Sequence, residues 1–213
     1  KEHAILIHVT LIPYLKASGE MKTKPTQASV KELQRLGLWP DILVCRSEYP
    51  LPLEMKDKIA LFCNVPSEHV LQNLDVEYLY EAPLAMEREN LAQAVLNCLH
   101  LEQREPDLSD WIEMTEALKN PKQEAEIAIV GKYTQLHDAY LSVVEALKHG
   151  GISCHTDIRF RWTDSETITE ENVEETFCGV DGILVPGGFG RRGTEGMILA
   201  AEYARREKIP YLG

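Results

Sequence analysis

Two short stretches of this sequence concentrate groups that could hold a charged ligand. The first, Lys22-Thr-Lys-Pro-Thr-Gln27, sets two lysines around a threonine, with Pro25, Thr26 and Gln27 alongside. Ammonium groups, hydroxyls and an amide are donors that phosphate oxygens accept from. A helix beginning next to them would add the positive end of its dipole. Taken alone, the stretch reads first as a solvated basic loop. The second is Val185-Pro-Gly-Gly-Phe-Gly-Arg-Arg-Gly193, in which Gly188, Gly190 and Gly193 fit the G-x-G-x-x-G dinucleotide spacing. That fingerprint belongs to the first strand of its unit, whereas this strand follows a strand-helix-strand that has already opened a sheet. The acidic partner expected about 20 residues on would fall past Gly213. A strand ending in Pro-Gly-Gly can instead turn free N–H groups toward a developing oxyanion, and a plain glycine turn fits the same residues.

Other candidates carry less. Gly131-Lys132-Tyr133 resembles the end of a P-loop but lacks both the earlier glycine and the following Ser or Thr. The seven histidines (His3, His8, His69, His100, His137, His149 and His155) lack metal-ligand spacing, and His149 reads as a helix C-terminal residue. Cys45 and Cys63 sit in apolar segments and read as core.

The elements that must position these groups alternate between strand and helix. Ile5–Ile12 is an apolar run of strand length, expected to be buried on both faces. Ser29 and Glu32 form a capping-box pattern that predicts a helix start, with Gly37 as its stop. Asp41–Arg46 predicts a strand, Met55–Phe62 a helix, Val76–Tyr80 a strand and Met86–Leu101 a long helix. The charged stretch from Arg104 to Glu126, with prolines at 106 and 121, predicts a linker holding one short helix capped by Asp107 or Ser109. A second alternation follows: a strand at Ile127–Gly131, a helix from Asp138 to His149 stopped by Gly150-Gly151, strands near Asp157–Trp162 and Gly182–Pro186, a helix at Glu195–Lys208 and a strand opening at Ile209. The pattern is α/β, with two doubly wound, mostly parallel sheets. A sheet that begins a strand at Ile209 is expected to continue beyond Gly213.

A chain of 213 residues accommodates two compact units. The formal net charge of -12 argues against general binding to nucleic acid or anionic membrane, while leaving room for a local lysine cluster. No apolar run reaches the roughly 20 residues of a spanning helix. Five dispersed cysteines without CxxC spacing predict a reducing, cytoplasmic setting.

Several segments together resemble one family. Lys22–Gln27, Ser29-Val-Lys-Glu-Leu33, Pro40-Asp-Ile-Leu43, Lys58-Ile-Ala-Leu-Phe-Cys-Asn64, Gly131-Lys-Tyr133, Asp138-Ala-Tyr140, Glu145-Ala-Leu-Lys-His149 and Pro186-Gly-Gly-Phe-Gly190 are similar, in the same order, to segments of CTP synthases. The resemblance implies an internal piece of a ligase that aminates UTP to CTP with ATP, Mg²⁺ and glutamine-derived ammonia. By it, residues 1–103 end a P-loop-like synthetase (amidoligase) domain, 104–125 link, and 126–213 begin a class I glutamine amidotransferase domain. It further implies that Lys22, Thr23, Lys24, Pro25, Thr26, Gln27 and Lys58 bind UTP, or CTP as feedback inhibitor, and that Leu74, Asp75 and Val76 contact ATP. In the second part, Gly187 and Gly188 resemble the oxyanion-hole strand end, with Gly188 also at the glutamine. Phe189, Arg192, Gly193 and Glu195 resemble a lid tied to activation by GTP. Metal ligands and the nucleophilic cysteine are expected outside these 213 residues, so this piece alone is expected to be inactive, and the parent to be a homotetramer. The rivals are another amidotransferase-coupled enzyme, which would not bring Lys22–Gln27, and a catalytically dead nucleotide-binding or filament-forming relative. A nicotinamide oxidoreductase rests only on the glycine spacing.

Overall fold

The computed structural model describes residues 3–188 and 190–213, the side chain of His137 excepted. The chain divides into two compact units, Lys1–Thr115 and Glu116–Gly213.

In the first unit, β1 (Ile7–Ile12), β4 (Ile42–Ser47) and β5 (Val70–Leu74) form a parallel sheet in the order β1-β4-β5. A short antiparallel hairpin, β2 (Tyr14–Leu15) and β3 (Glu20–Met21), precedes α1 (Lys24–Arg35). Parallel neighbours need helical crossovers, and α1 and α2 (Leu53–Cys63) supply them on one face. There Ile12, Val30, Leu43, Cys45, Ile59 and Val70 form the core. On the other face, α3 (Ala82–Arg88) and α4 (Leu91–Cys98) bring Ala94, with Met86, Leu91 and Val95, over Ile42, Val44 and Leu71. That pair of helices covers β4 and β5 but not β1. The two-sided burial expected of the first strand is therefore corrected: Val9 and Leu11 are each 58% exposed.

Three further expectations in this unit change. The first helix starts at Lys24, not at Ser29, because Pro25 pre-sets the backbone of a first helical turn. Ser29 then lies inside the helix, and its hydroxyl meets His8 Nε2 at 2.9 Å. The strand is Val70–Leu74, while Leu79–Glu81 is a turn of 3-10 helix. The long helix is broken in two at Asn90, whose φ of 61° lies in the left-handed region. The short helix expected in the charged stretch forms as α5 (Ser109–Lys119), at whose start Asp107 Oδ1 accepts from Ser109 N and Oγ at 3.1 and 2.6 Å.

In the second unit, β6 (Gln123–Gly131), β7 (Thr156–Asp164), β8 (Gly182–Leu184) and β9 (Tyr211–Leu212) form a parallel sheet in the order β7-β6-β8-β9. The helices α6 (Leu141–Ser153), α7 (Val173–Phe177) and α8 (Thr194–Glu207) connect them. Phe177, Ala128, Ile183 and Ala200 centre one core, and Ile129, Tyr140 and Val144 the other face. α6 runs through Gly150-Gly151 instead of stopping there, so His149 sits inside the helix. A Cβ on Gly151 would lie 2.6 Å from Thr156 O, so that glycine serves the close approach of α6 to β7. No helix among the described residues is long and apolar enough to cross a membrane.

Candidate functional site

Each unit places candidate groups at the carboxyl ends of its parallel strands, the side on which open α/β sheets bind ligands. In the first unit the hairpin and the start of α1 form one wall of a cleft of about 560 Å³, and the start of α2 forms the other. Lys22, Thr23 and Lys24 line the first wall; Pro52, Met55 and Lys58 line the second. Lys22 pairs with Glu20, whose carboxyl is held below its ordinary range by that hydrogen bond and charge. Both partners are largely solvent-exposed, and such a pair contributes little, so a multiply charged anion can displace Glu20 at small cost. Lys22, Lys24 and Lys58 outnumber Glu20 and Glu54 in the lining.

The rest of the basic motif builds the helix start. Pro25 sets the first turn. Gln27 Nε2 donates to Thr23 Oγ1 at 3.1 Å and its N–H to Thr23 O at 3.1 Å. Thr26 is fully buried, its hydroxyl within 3.1 Å of Thr10 Oγ1 and 3.2 Å of Leu11 O, which ties α1 to β1. The expectation that its side chain reaches a ligand is corrected by that burial. What Thr26 can offer at the helix start is its backbone N–H, which donates to no backbone acceptor among the described residues. Leu74 ends β5, Asp75 and Val76 follow it, and none of the three lines this cleft. Asp75 donates its N–H to Ser47 O at 3.1 Å and lies 3.5 Å from Arg46.

In the second unit, β6 has β7 on one side and β8 on the other, so the chain reverses direction across the sheet between β6 and β8. The loops after those two strands meet there. Tyr140 Oη accepts from Lys132 N at 3.0 Å and Tyr133 N at 3.3 Å, which shapes the Gly131-Lys132-Tyr133 turn. Lys132 Nζ donates to Gly190 O at 2.8 Å. Arg192 donates to Lys132 O at 3.1 Å, pairs with Glu166 at 3.0 Å and lies 5.4 Å over the Tyr133 ring. Three strand-end loops are thus clasped together.

Gly187 and Gly188 stand exposed at this crevice, and neither N–H donates a backbone hydrogen bond among the described residues. Two such donors suit a carbonyl oxygen that gains negative charge. Gly193 has another reason to be glycine: its φ is +67°, and an added Cβ would lie 2.1 Å from Ser165 Oγ. Glu195 lies exposed in the first turn of α8, and Phe189 lies outside the described residues. Cys154 and Cys178 precede β7 and β8, at the opposite end of the sheet from this crevice. Among the described residues no group of three or more His, Cys, Asp or Glu could hold a metal.

Sequence reasoning missed Lys132, Tyr140 and Glu166 as parts of the crevice. Only the pairing of Gly-Lys-Tyr with Asp-Ala-Tyr seven residues on hinted at the first two, and Glu166 sits in an unremarkable acidic turn.

The CTP synthase N-terminus family matches residues 1–101, and the family of class I glutamine amidotransferases matches residues 135–213. The CTP synthases of Nostoc punctiforme and Ruminiclostridium cellulolyticum are 54% and 56% identical over all 213 residues. The chain spans about 40% of the length of these curated relatives. A solved structure described as the glutaminase domain of Trypanosoma brucei CTPS with bound acivicin matches 41% of this chain and 34% of its own, at 40% identity and a TM-score of 0.38.

Proposed function

This chain belongs to the CTP synthase family, and from that premise we propose that it supplies nucleotide-binding and nitrogen-delivering parts of an enzyme that makes CTP from UTP. The observation that carries the reading is the convergence of Lys22, Lys24 and Lys58 on one cleft at the start of α1. A triphosphate meets point charges from the lysines and the positive dipole end of a helix there. CTP, which shares the triphosphate, competes for the same groups as a feedback inhibitor. ATP approaches the backbone at Leu74, Asp75 and Val76, and phosphorylation of the uracil 4-oxygen makes it a group that ammonia can displace.

The crevice of the second unit holds glutamine, with the Gly187 and Gly188 N–H groups facing the oxyanion of its hydrolysis. Arg192 and Gly193, with Glu195 in the first turn of α8, belong to the lid through which GTP activates. Mg²⁺ accompanies the ATP phosphates in this reaction. A homotetramer in the cytoplasm completes the proposal.

The test is CTP formation by the full-length polypeptide that carries this chain, supplied with UTP, ATP and Mg²⁺. Glutamine and ammonia serve as separate nitrogen sources. CTP from both sources supports the synthetase, the glutaminase and their coupling. No CTP from either source contradicts the reading and favours a catalytically dead relative.

A further inference from the structure

Behind the lysine cleft, on the opposite flank of α2, lies a polar network with a fixed direction of donation. Glu89 caps the C-terminus of α3, just before the left-handed Asn90. Its Oε1 accepts from Gln72 Nε2 at 2.8 Å, and its Oε2 accepts from Lys56 Nζ at 2.9 Å and from Gln72 N at 3.3 Å. Gln72 Oε1 in turn accepts from Leu51 N at 2.9 Å. The Lys56 and Glu89 side chains are only 20% and 19% exposed, so water is a poor substitute for either. Burial raises the Glu89 pKa, but hydrogen bonds from Lys56 and Gln72 outweigh it and hold the carboxyl below its ordinary range.

We propose that Glu89 is a positioning residue for the nucleotide cleft, acting through Gln72 and Lys56 to fix the start of α2. The proposal rests on the reading that this cleft takes UTP. α2 begins after Pro52 with no side-chain cap, so Leu51 N and Lys56 tie its start to the sheet and to α3, while Asp57 Oδ1 accepts from Ser67 Oγ at 2.5 Å on another side. Lys56 faces the Glu89 side, whereas Pro52, Met55 and Lys58 line the lysine cleft. A shift at the start of α2 therefore moves one wall of the cleft against the other.

The network also has a polarity. Because the Gln72 amide must accept from Leu51 N, its NH₂ must face residue 89, and that residue must accept. A carboxylate does so with both oxygens; a glutamine turns one donor against another, or forces Gln72 to flip and orphan Leu51 N.

UTP saturation and glutamine hydrolysis in the full-length polypeptide test this with Glu89→Gln and with the exchange Gln72→Glu/Glu89→Gln, which reverses the donation between 72 and 89 and gives every donor an acceptor again. Glu89→Gln is expected to raise the UTP KM on the order of fivefold to tenfold, with glutamine hydrolysis unchanged. The exchange is expected to return the KM to within about twofold of the starting protein. An unchanged KM in Glu89→Gln, alongside a raised KM in Lys58→Ala, overturns the positioning role while leaving the cleft reading intact. A raised KM that the exchange does not recover also overturns it, because simple structural damage would behave that way. If Lys58→Ala leaves the KM unchanged too, the cleft reading itself fails and takes the proposal with it.

Discussion

The two units put their candidate sites at the same end of the same kind of sheet but build them from different materials. The first uses charged side chains: three lysines, two at the start of α1 and one midway along α2, set on a frame of buried apolar residues. The second uses backbone: exposed glycine N–H groups on a loop clasped by Lys132, Arg192 and Glu166. A phosphate carries its charge permanently and is met by permanent opposite charge. An oxyanion exists only during reaction and is met by oriented dipoles that leave the resting substrate undisturbed. The difference predicts that changes in the first unit act mainly on saturation by nucleotide, and changes in the second mainly on loop geometry and turnover.

The sharpest way to break the comparison is at Gly196 in α8. A Cβ there would lie 1.9 Å from Ser165 O, a backbone atom that cannot step aside. Gly196→Ala is expected to cost about 3 kcal/mol, the upper range for overpacking. It should also remove glutamine hydrolysis while sparing ammonia-dependent CTP formation. Urea unfolding and the two assays read this, and an unchanged unfolding midpoint would contradict the packing.

A smaller loss is expected when Lys58→Ala removes one of the three cleft cations: about a tenfold rise in UTP KM, with glutamine hydrolysis retained. Equal saturation curves for the variant and the starting protein would remove Lys58 from the site. Arg192→Ala gives up an exposed ion pair, a hydrogen bond and a contact with the Tyr133 ring. It is expected to lower glutamine hydrolysis by a few-fold, with a stability change of no more than about 1 kcal/mol. A variant that keeps full hydrolysis would show that the clasp does not order the loop.

The smallest effects concern protons. Glu89 has a depressed pKa, so its contribution to stability is full above its ordinary value of 4.5 and is lost as pH falls through the lower folded value. Unfolding of Glu89→Ala against the starting protein should show a gap at pH 7 that narrows below about pH 4. A gap that persists at low pH would assign the loss to packing instead. The Cys63 thiol is pushed up to about 11 by burial, then by the neighbouring Cys45. Titration with a thiol reagent at neutral pH is expected to label the exposed Cys154 and Cys178 first and to spare Cys45 and Cys63 until unfolding.

How much of this was legible in the sequence differs between the units for the same reason that their sites differ. Charged residues announce themselves, so Lys22, Lys24 and Lys58 could be singled out, although only the family resemblance joined Lys58 to the others. Thr26 was misjudged because its type suits a ligand as well as it suits a buried tie to Thr10. The capping-box pattern at Ser29 hid a helix that Pro25 had already begun. β5 went unread because Gln72 and Asn73 interrupt its apolar run, and the role of Gln72 depends on Glu89, 17 residues away. The break at Asn90 carried no Gly or Pro signal. In the second unit the strands and the glycine loop were visible from their apolar runs and spacing. The clasp was not, since Lys132, Glu166 and Arg192 meet only once the chain has crossed the sheet.

The central claim is that the lysine cleft holds the nucleotide while the glycine crevice delivers nitrogen. Its most direct test is the Lys22→Ala/Lys58→Ala double variant of the full-length polypeptide. UTP saturation would be measured with ammonia and with glutamine, and glutamate release followed separately. The account predicts a UTP KM raised equally with both nitrogen sources, with glutamate release retained. An unchanged KM, or a loss confined to the glutamine-driven reaction, would contradict it.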